Sequence, residues 1–322
     1  MLAVHADSLC VEGDPNVLFQ EDALRMLQIV RVCVQTGVPI DPTARRALLA
    51  HAEGLGEAPP ALVGRELDAI VRSGRAGRAL LEQPDVMCAA IPELAACRGF
   101  DQRSVYHVYD VYEHIAHVCN ACSAFTAGVL LPELAWAALL HDVAKPATFS
   151  EDEDGHGHFF DHPREGALMA DRILGRLQIH ASVRIGAVEL IRLHDERMPP
   201  TVSAIRALLR RLSQSCPGRE VPLAFALLNL RRADAVAKCT SAAHWASELD
   251  RYASVLRAEV SRGPVFGTRQ LAVDATDVMR VCGMAQGLGV DMQIEQLLYM
   301  VMNDELPNER NALLAWLGDA RG

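Results

Sequence analysis

The chain has 322 residues and is 50% hydrophobic, which supplies a continuous core and a length prior of roughly two domains. Its net charge of −10, from 31 basic and 41 acidic residues, argues against a protein that binds nucleic acid over its whole surface. No apolar stretch approaches the ~20 residues of a membrane span, and the N-terminus lacks a basic-then-apolar signal layout. The nine cysteines are scattered and mostly inside apolar runs, so they read as reduced thiols in a cytoplasmic chain.

Apolar positions at Leu24, Leu27, Val30 and Cys33 or Val34 predict one helix through residues 18–36, stopping at Gly37 with Pro39 beyond. Asp41 followed by Pro42 opens a second helix, and Pro59 and Pro60 break the chain before a segment running from Leu62 to Leu81. Aromatic content is only 5% and alternating β-branched runs are few, so the fold class is all-α. The exception is the loop around residues 156–160, where a short hairpin is expected with the acidic run Glu151–Asp154 as its solvated tip. Cys119 and Cys122 form a CxxC on a helix and are expected to pack, with a zinc or redox role the lesser reading. Arg206, Arg210 and Arg211 could track a phosphate backbone, but a polar face paired with carboxylates is the stronger reading on charge alone. Residues 261–265, which include Gly263 and Pro264, are the best linker, before a last unit ending in a helix over 308–317.

The chemistry concentrates on His141 and Asp142, adjacent at the end of the apolar run 134–140. An imidazole nitrogen and a carboxylate oxygen side by side at a helix end make a ligand pair for a divalent ion, held rigid by the helix behind. A structural His-Asp pair is the competing reading, and company at helical spacing weighs against it: His114 upstream, and His162, His194 and Asp234 downstream. Ligands on well-separated helices converge only if those helices pack as a bundle. A mixed histidine and carboxylate set suits Mn, Ni, Co, Fe or Zn better than Ca or Mg, with one or two ions held. Such an ion polarises a phosphoryl oxygen and lowers the pKa of bound water. Asp142 is placed to bridge two ions or hold the attacking water, and Lys145 either meets substrate phosphate or pairs with Asp142. His162 and His194 separate a two-metal site, or one whose ligands are supported from outside, from a simple one-metal site, and His117 reads as structural.

The order H…HD…H…H…D over His114, His141, Asp142, His162, His194 and Asp234 resembles the HD superfamily of metal-dependent phosphohydrolases. More narrowly, the strings 110–114, 138–148 and 158–162, with Gly166 and Ala167 beyond, resemble the HD body of bacterial tRNA nucleotidyltransferases, the CCA-adding enzymes and poly(A) polymerases. The string 304–310 resembles the end of that family's tail, and residues 19–31 its neck, with the E-D-x-x-R motif as Glu21, Asp22 and Arg25. The resemblance implies a nucleotide-binding edge at Glu21, Asp22 and Arg25, and a substrate contact at His107. It departs from the family before Glu21, where only 20 residues stand and no Asp-x-Asp follows a Gly-Ser turn, so the polymerase head is expected to be missing. Residues 102–106 lack the family's usual Asn, and Gly64–Leu67 keeps only part of a later neck motif.

These readings predict a helical neck over 1–80, a metal-binding HD body over 81–245 and a helical tail over 246–322. The leading function is metal-dependent hydrolysis of a phosphomonoester or a 2′,3′-cyclic phosphodiester, with a phosphate ester, nucleotide or RNA end as substrate. The alternative is an RNA- or nucleotide-binding portion of a tRNA nucleotidyltransferase, partnered by tRNA or by a separate or lost polymerase head. No membrane partner is expected.

Overall fold

The computed structural model describes residues 2–5, 7–104, 108–238, 243–263 and 265–319. In chain order it contains a hairpin of β1 (Leu2–His5) and β2 (Ser8–Val11), then α1 (Pro15–Glu21), α2 (Leu24–Thr36), α3 (Pro42–His51), α4 (Pro60–Arg72), α5 (Ala76–Glu82) and α6 (Pro84–Ala90). There follow α7 (Val111–Phe125), α8 (Pro132–Leu140), the single turn α9 (Lys145–Thr148), a second hairpin of β3 (Phe149–Glu151) and β4 (Gly157–Phe159), α10 (His162–Arg176) and α11 (Ala181–Leu193). The chain ends with α12 (Val202–Ser215), α13 (Glu220–Lys238), α14 (Ala243–Ser261), α15 (Ala275–Cys282), α16 (Leu288–Met302) and α17 (Arg310–Asp319). The fold is helical, as composition predicts, and no helix among the described residues is long and apolar enough to cross a membrane.

Two compact units divide the chain: Met1–Arg197 with Phe225–Leu249, and Met198–Ala224 with Asp250–Gly322. In the first, α8 is the central rod. Every residue from Glu133 to Leu140 is buried, as a helix apolar all round must be. The indole of Trp136, fully buried, donates to Asp68 Oδ1 of α4 at 2.9 Å. α7 and α11 pack on α8, α10 packs on α11, and α5 packs on α7. The last contact requires a glycine: a Cβ on Gly77 would stand 2.2 Å from Ala116 O. Asp110 caps α7 by accepting from Glu113 N at 2.7 Å and also takes Gly99 N at 2.8 Å.

In the second unit, Val278, Leu297, Leu298, Leu313 and Leu317 form the core between α15, α16 and α17. Arg206 of α12 is buried, donating to Glu259 at 2.5 Å and to Asp304 at 2.8 Å. Arg210 pairs with Glu295. The pairing with carboxylates expected on α12 is present at both arginines, and at Arg206 it is buried instead of solvated. Asp304 and Arg310, from the tail string, are structural here: Asp304 takes Arg206 and Arg262, and Arg310 grips Asp277 bidentately.

Three local readings change. The helix expected over 18–36 is broken at Asp22, whose extended backbone lets its carboxylate accept from Leu24 N at 3.1 Å and start α2. The run from Leu62 to Leu81 splits into α4 and α5 at Gly74, which has φ +72. The β1–β2 hairpin was not expected; the alternation of Val4, Leu9 and Val11 is too short to stand out from noise. The second hairpin falls where it was expected, with Phe149 opposite Phe159.

Candidate metal centre

Five elements deliver six side chains to one point inside the first unit. His114 lies on α7, His141 and Asp142 on the turn leaving α8, His162 at the first position of α10, His194 just past α11, and Asp234 on α13. All six are buried. The local folding is dictated by the sequence around each. α8 ends at Leu140 and the chain turns at 141–144, which aims two consecutive side chains at one place. Gly166 lets α10 approach this turn, since a Cβ there would stand 3.3 Å from His141 O.

The donor atoms form two groups that share Asp142: His114, His141, Asp142 and Asp234 in one, Asp142, His162 and His194 in the other. In the first, Asp142 Oδ2 lies 3.2 Å from His141 Nε2 and 3.4 Å from His114 Nε2, and Asp234 Oδ1 lies 3.1 Å from His114 Nε2. In the second, Asp142 Oδ1 lies 3.4 Å from His162 Nε2 and 3.6 Å from His194 Nε2. The two Nε2 atoms within each group are 3.4 Å and 3.3 Å apart.

Those spacings and the tautomers together test the fit to a cation. A carbonyl oxygen only accepts, so the Nδ1–H of His141 donates to Ala138 O (3.0 Å), that of His162 to Phe159 O (2.8 Å) and that of His194 to Ile191 O (2.7 Å). With Nδ1–H spent on a carbonyl, a ring without a second proton turns a bare Nε2 lone pair toward the carboxylate, and a cation between the two satisfies both. Bonds of about 2.1 Å to a shared ion place neighbouring donors about 3.0–3.4 Å apart, and the separations here run from 3.1 to 3.6 Å. Carbonyl-held Nδ1 atoms are also the usual outer support of a ligating imidazole. The cluster can thus hold a divalent metal, with histidine and carboxylate as donors.

Two lysines complete the charge balance. Lys145 Nζ lies 2.7 Å from Asp142 Oδ2 and donates to Gln102 Oε1 at 2.8 Å; Lys238 Nζ lies 2.6 Å from Asp234 Oδ2. Burial opposes the charge on Asp142, yet His141 and Lys145 hold its carboxyl well below the usual carboxylate range. Asp234 is held low in the same way, by Lys238 and His114 against its burial. His114 and His162 are pushed down by desolvation, whereas His194, opposed by the same burial, is pushed up by its contacts with Asp142. Lys238 escaped sequence reading. Its spacing of four from Asp234 on a helix is the signal that could have found it.

The two groups differ in access. A pocket of about 290 Å³ is lined by Asp142, Lys145, His162, His194, Asp234 and Lys238, with residues 157–160 along its rim. His114 and His141 lie deeper and fully buried. The neck residues are elsewhere: Glu21 and Asp22 line a cleft of about 490 Å³ with His51, Glu53 and Glu57. Arg25 pairs with Asp22 at 3.1 Å and donates to Gln28 at 3.1 Å. His107 lies outside the described residues. His117 stacks on Tyr109, and Cys119 and Cys122 are buried in α7, where desolvation pushes the Cys119 thiol up to about 12.

The HD domain model matches residues 105–243, the stretch that carries all six of these side chains. Over most of its length the chain is also homologous to bacterial tRNA nucleotidyltransferases. The CC-adding tRNA nucleotidyltransferase of Thermus thermophilus is 29% identical over 309 residues, covering 92% of this chain and 67% of that protein. The A-adding tRNA nucleotidyltransferase of Deinococcus radiodurans is 31% identical over 246 residues, covering 74% of this chain and 54% of that protein. The crystal structure of the Bacillus stearothermophilus CCA-adding enzyme in complex with CTP matches 98% of this chain and 66% of its own, with a TM-score of 0.61 and 20% identity, a likeness of fold. The chain thus spans between about half and two thirds of these relatives' lengths.

Proposed function

We propose that the HD body is a metal-dependent phosphohydrolase for a phosphomonoester or a 2′,3′-cyclic phosphodiester of nucleotide or RNA-end type. The observation that carries this reading is the sharing of Asp142 between two donor groups at the floor of an open pocket walled by two lysines. His114, His141, Asp142 and Asp234 would hold one ion, and Asp142, His162 and His194 a second; the donor types favour Mn, Ni, Co, Fe or Zn. Bound there, such ions supply Lewis-acid polarisation of the phosphoryl group and an acidified water.

The chain's own residues do the rest. The carbonyls of Ala138, Phe159 and Ile191 lock three imidazoles in one tautomer and orientation. Asp142, anchored by Lys145, keeps a full negative charge where neutral rings alone would bind a dication weakly. Lys145 and Lys238 carry ammonium groups at the pocket wall, where they meet the negative charge that grows on phosphate oxygens during substitution. The test is hydrolysis of p-nitrophenyl phosphate and 2′,3′-cyclic nucleotides with added Mn, Ni or Co, abolished by EDTA. Absence of turnover with every metal, in protein shown to be loaded, refutes the reading.

A second reading is favoured by one observation: similarity to tRNA nucleotidyltransferases extends far beyond the HD domain, to 92% of the chain. Under it the chain binds tRNA or nucleotide and works with a polymerase head supplied by other residues, Glu21, Asp22 and Arg25 forming a nucleotide-selecting edge. Labelled CTP or ATP should then join a tRNA 3′ end only when a head is provided in trans. Incorporation by these 322 residues alone refutes that arrangement.

A further inference from the structure

The β3–β4 hairpin forms the rim of the metal pocket, and its alternation sorts three aromatic side chains. Phe159 turns inward, its ring 5.7 Å from Phe149 and 6.4 Å from Phe100, and Lys145 Nζ sits 5.3 Å over its face. His158 and Phe160, one residue to either side, share the opposite direction, as side chains two apart along an extended strand do. Their rings are parallel, at 12° and 5.4 Å between centroids. Phe160 is 72% exposed.

This pair is held, not loose. Asp152 Oδ2 accepts from His158 Nε2 at 2.8 Å, while Asp152 Oδ1 takes the backbone N–H of Asp154 and His156. Arg103 pairs with Glu151 across the base, and Gly157 N donates to Arg103 O. Asp161, at φ +60, turns the chain sharply after Phe160, so that His162 enters the metal cluster while Phe160 stays outside. An ordered, exposed phenyl ring stacked on an imidazole thus stands beside the groups that would take a phosphate.

Resting on the phosphohydrolase reading, we propose that Phe160 and His158 form a stacking platform for a nucleobase, so that the substrate of this pocket is a nucleoside phosphate and not a base-free phosphate ester. A planar base has a π-face for the Phe160 ring, and its attached phosphate has Lys145, Lys238 and the metal groups within the same pocket. A sugar phosphate offers the second contact without the first.

The test compares 5′-AMP with ribose 5-phosphate, which share the same monoester, using metal-loaded full-length protein. Wild type should show the lower KM for 5′-AMP. Phe160→Ala should raise that KM roughly 5- to 100-fold, the usual cost of losing a base–aromatic stack, with kcat, metal content and the KM for ribose 5-phosphate unchanged. Phe160→Trp should restore the low KM. Fluorescence of Phe160→Trp, corrected for the native tryptophans, should be quenched by 5′-AMP and not by ribose 5-phosphate. Turnover with equal KM for both esters, or equal losses on both in Phe160→Ala, overturns the platform. Turnover of neither ester, and of no 2′,3′-cyclic nucleotide, refutes the phosphohydrolase reading; wherever neither ester is turned over the quenching decides the platform alone, base-dependent quenching supporting it and its absence overturning it.

Discussion

Asp142→Asn tests the whole construction of the metal centre, because Asp142 is the single residue common to both donor groups. Its Oδ2 faces His114 and His141, and its Oδ1 faces His162 and His194. An amide of the same shape keeps one oxygen but loses the charge, and it presents an N–H pair to whichever group meets the nitrogen. One group is then blocked and the other is left with a weaker donor. Wild-type protein purified without chelator should carry about one or two ions per chain, and Asp142→Asn close to none. His162→Ala should lose only the ion of the open group and His141→Ala only that of the deep one. At free metal about 100 times Kd, loading stabilises by about 2.7 kcal/mol, and for a domain of 150–250 residues each kcal/mol is worth about 2–4 °C. EDTA should therefore lower the wild-type Tm by about 5–10 °C and leave that of Asp142→Asn unmoved. The variant should itself be weaker without metal, by about 3–5 kcal/mol, because Lys145, 4% exposed, loses the charged partner 2.7 Å away and keeps only uncharged contacts such as Gln102 Oε1 and the Phe159 ring. Elemental analysis and thermal unfolding with and without chelator give both quantities. Stoichiometric metal in Asp142→Asn, or simultaneous loss of both ions in His162→Ala, would refute the shared-carboxylate arrangement.

Three further outcomes follow from other parts of the molecule. Lys145→Ala should lower turnover in the hydrolysis assay by at least about 10-fold with metal content unchanged or slightly higher, since its ammonium shares Asp142 Oδ2 with the deep group; a matching loss of metal would show that Lys145 acts only by holding the carboxylate. Hydrogen bonds from Arg310 and Arg280 hold the Asp277 carboxyl at about 2, below its usual range, so this pair stabilises the folded state fully above about pH 4 and progressively less as pH falls toward 2. Urea unfolding from pH 5 to 2 should show that loss in wild type and less of it in Asp277→Asn; parallel pH profiles would contradict the assignment. Gly77→Ala should cost about 1–3 kcal/mol and Gly77→Val more, because the new carbon would meet Ala116 O on the helix that carries His114; unchanged denaturant midpoints would show that α5 and α7 are less tightly joined than drawn.

Much of this protein is legible in one dimension because its information is local. The apolar stretch 134–140 followed by His141 and Asp142 states a buried helix with a polar end, and Asp41 with Pro42 states a helix start; both are written in neighbouring residues, and α8 and α3 follow. Residue type alone also selects the ligand chemistry, since imidazoles and carboxylates have few joint uses inside an apolar bundle. Periodicity is blind to what the tertiary structure decides. Asp22 has the spacing to continue a helix, yet its carboxylate captures Leu24 N and ends one. Arg206 looks like a surface charge, yet Glu259 and Asp304, distant in sequence, make its burial tolerable. The division of labour between the two oxygens of Asp142 and the reach of Lys145 to Gln102 appear in no spacing rule. They depend on which helices and strands come within a few ångströms of each other, a property of packed surfaces and not of any stretch of chain.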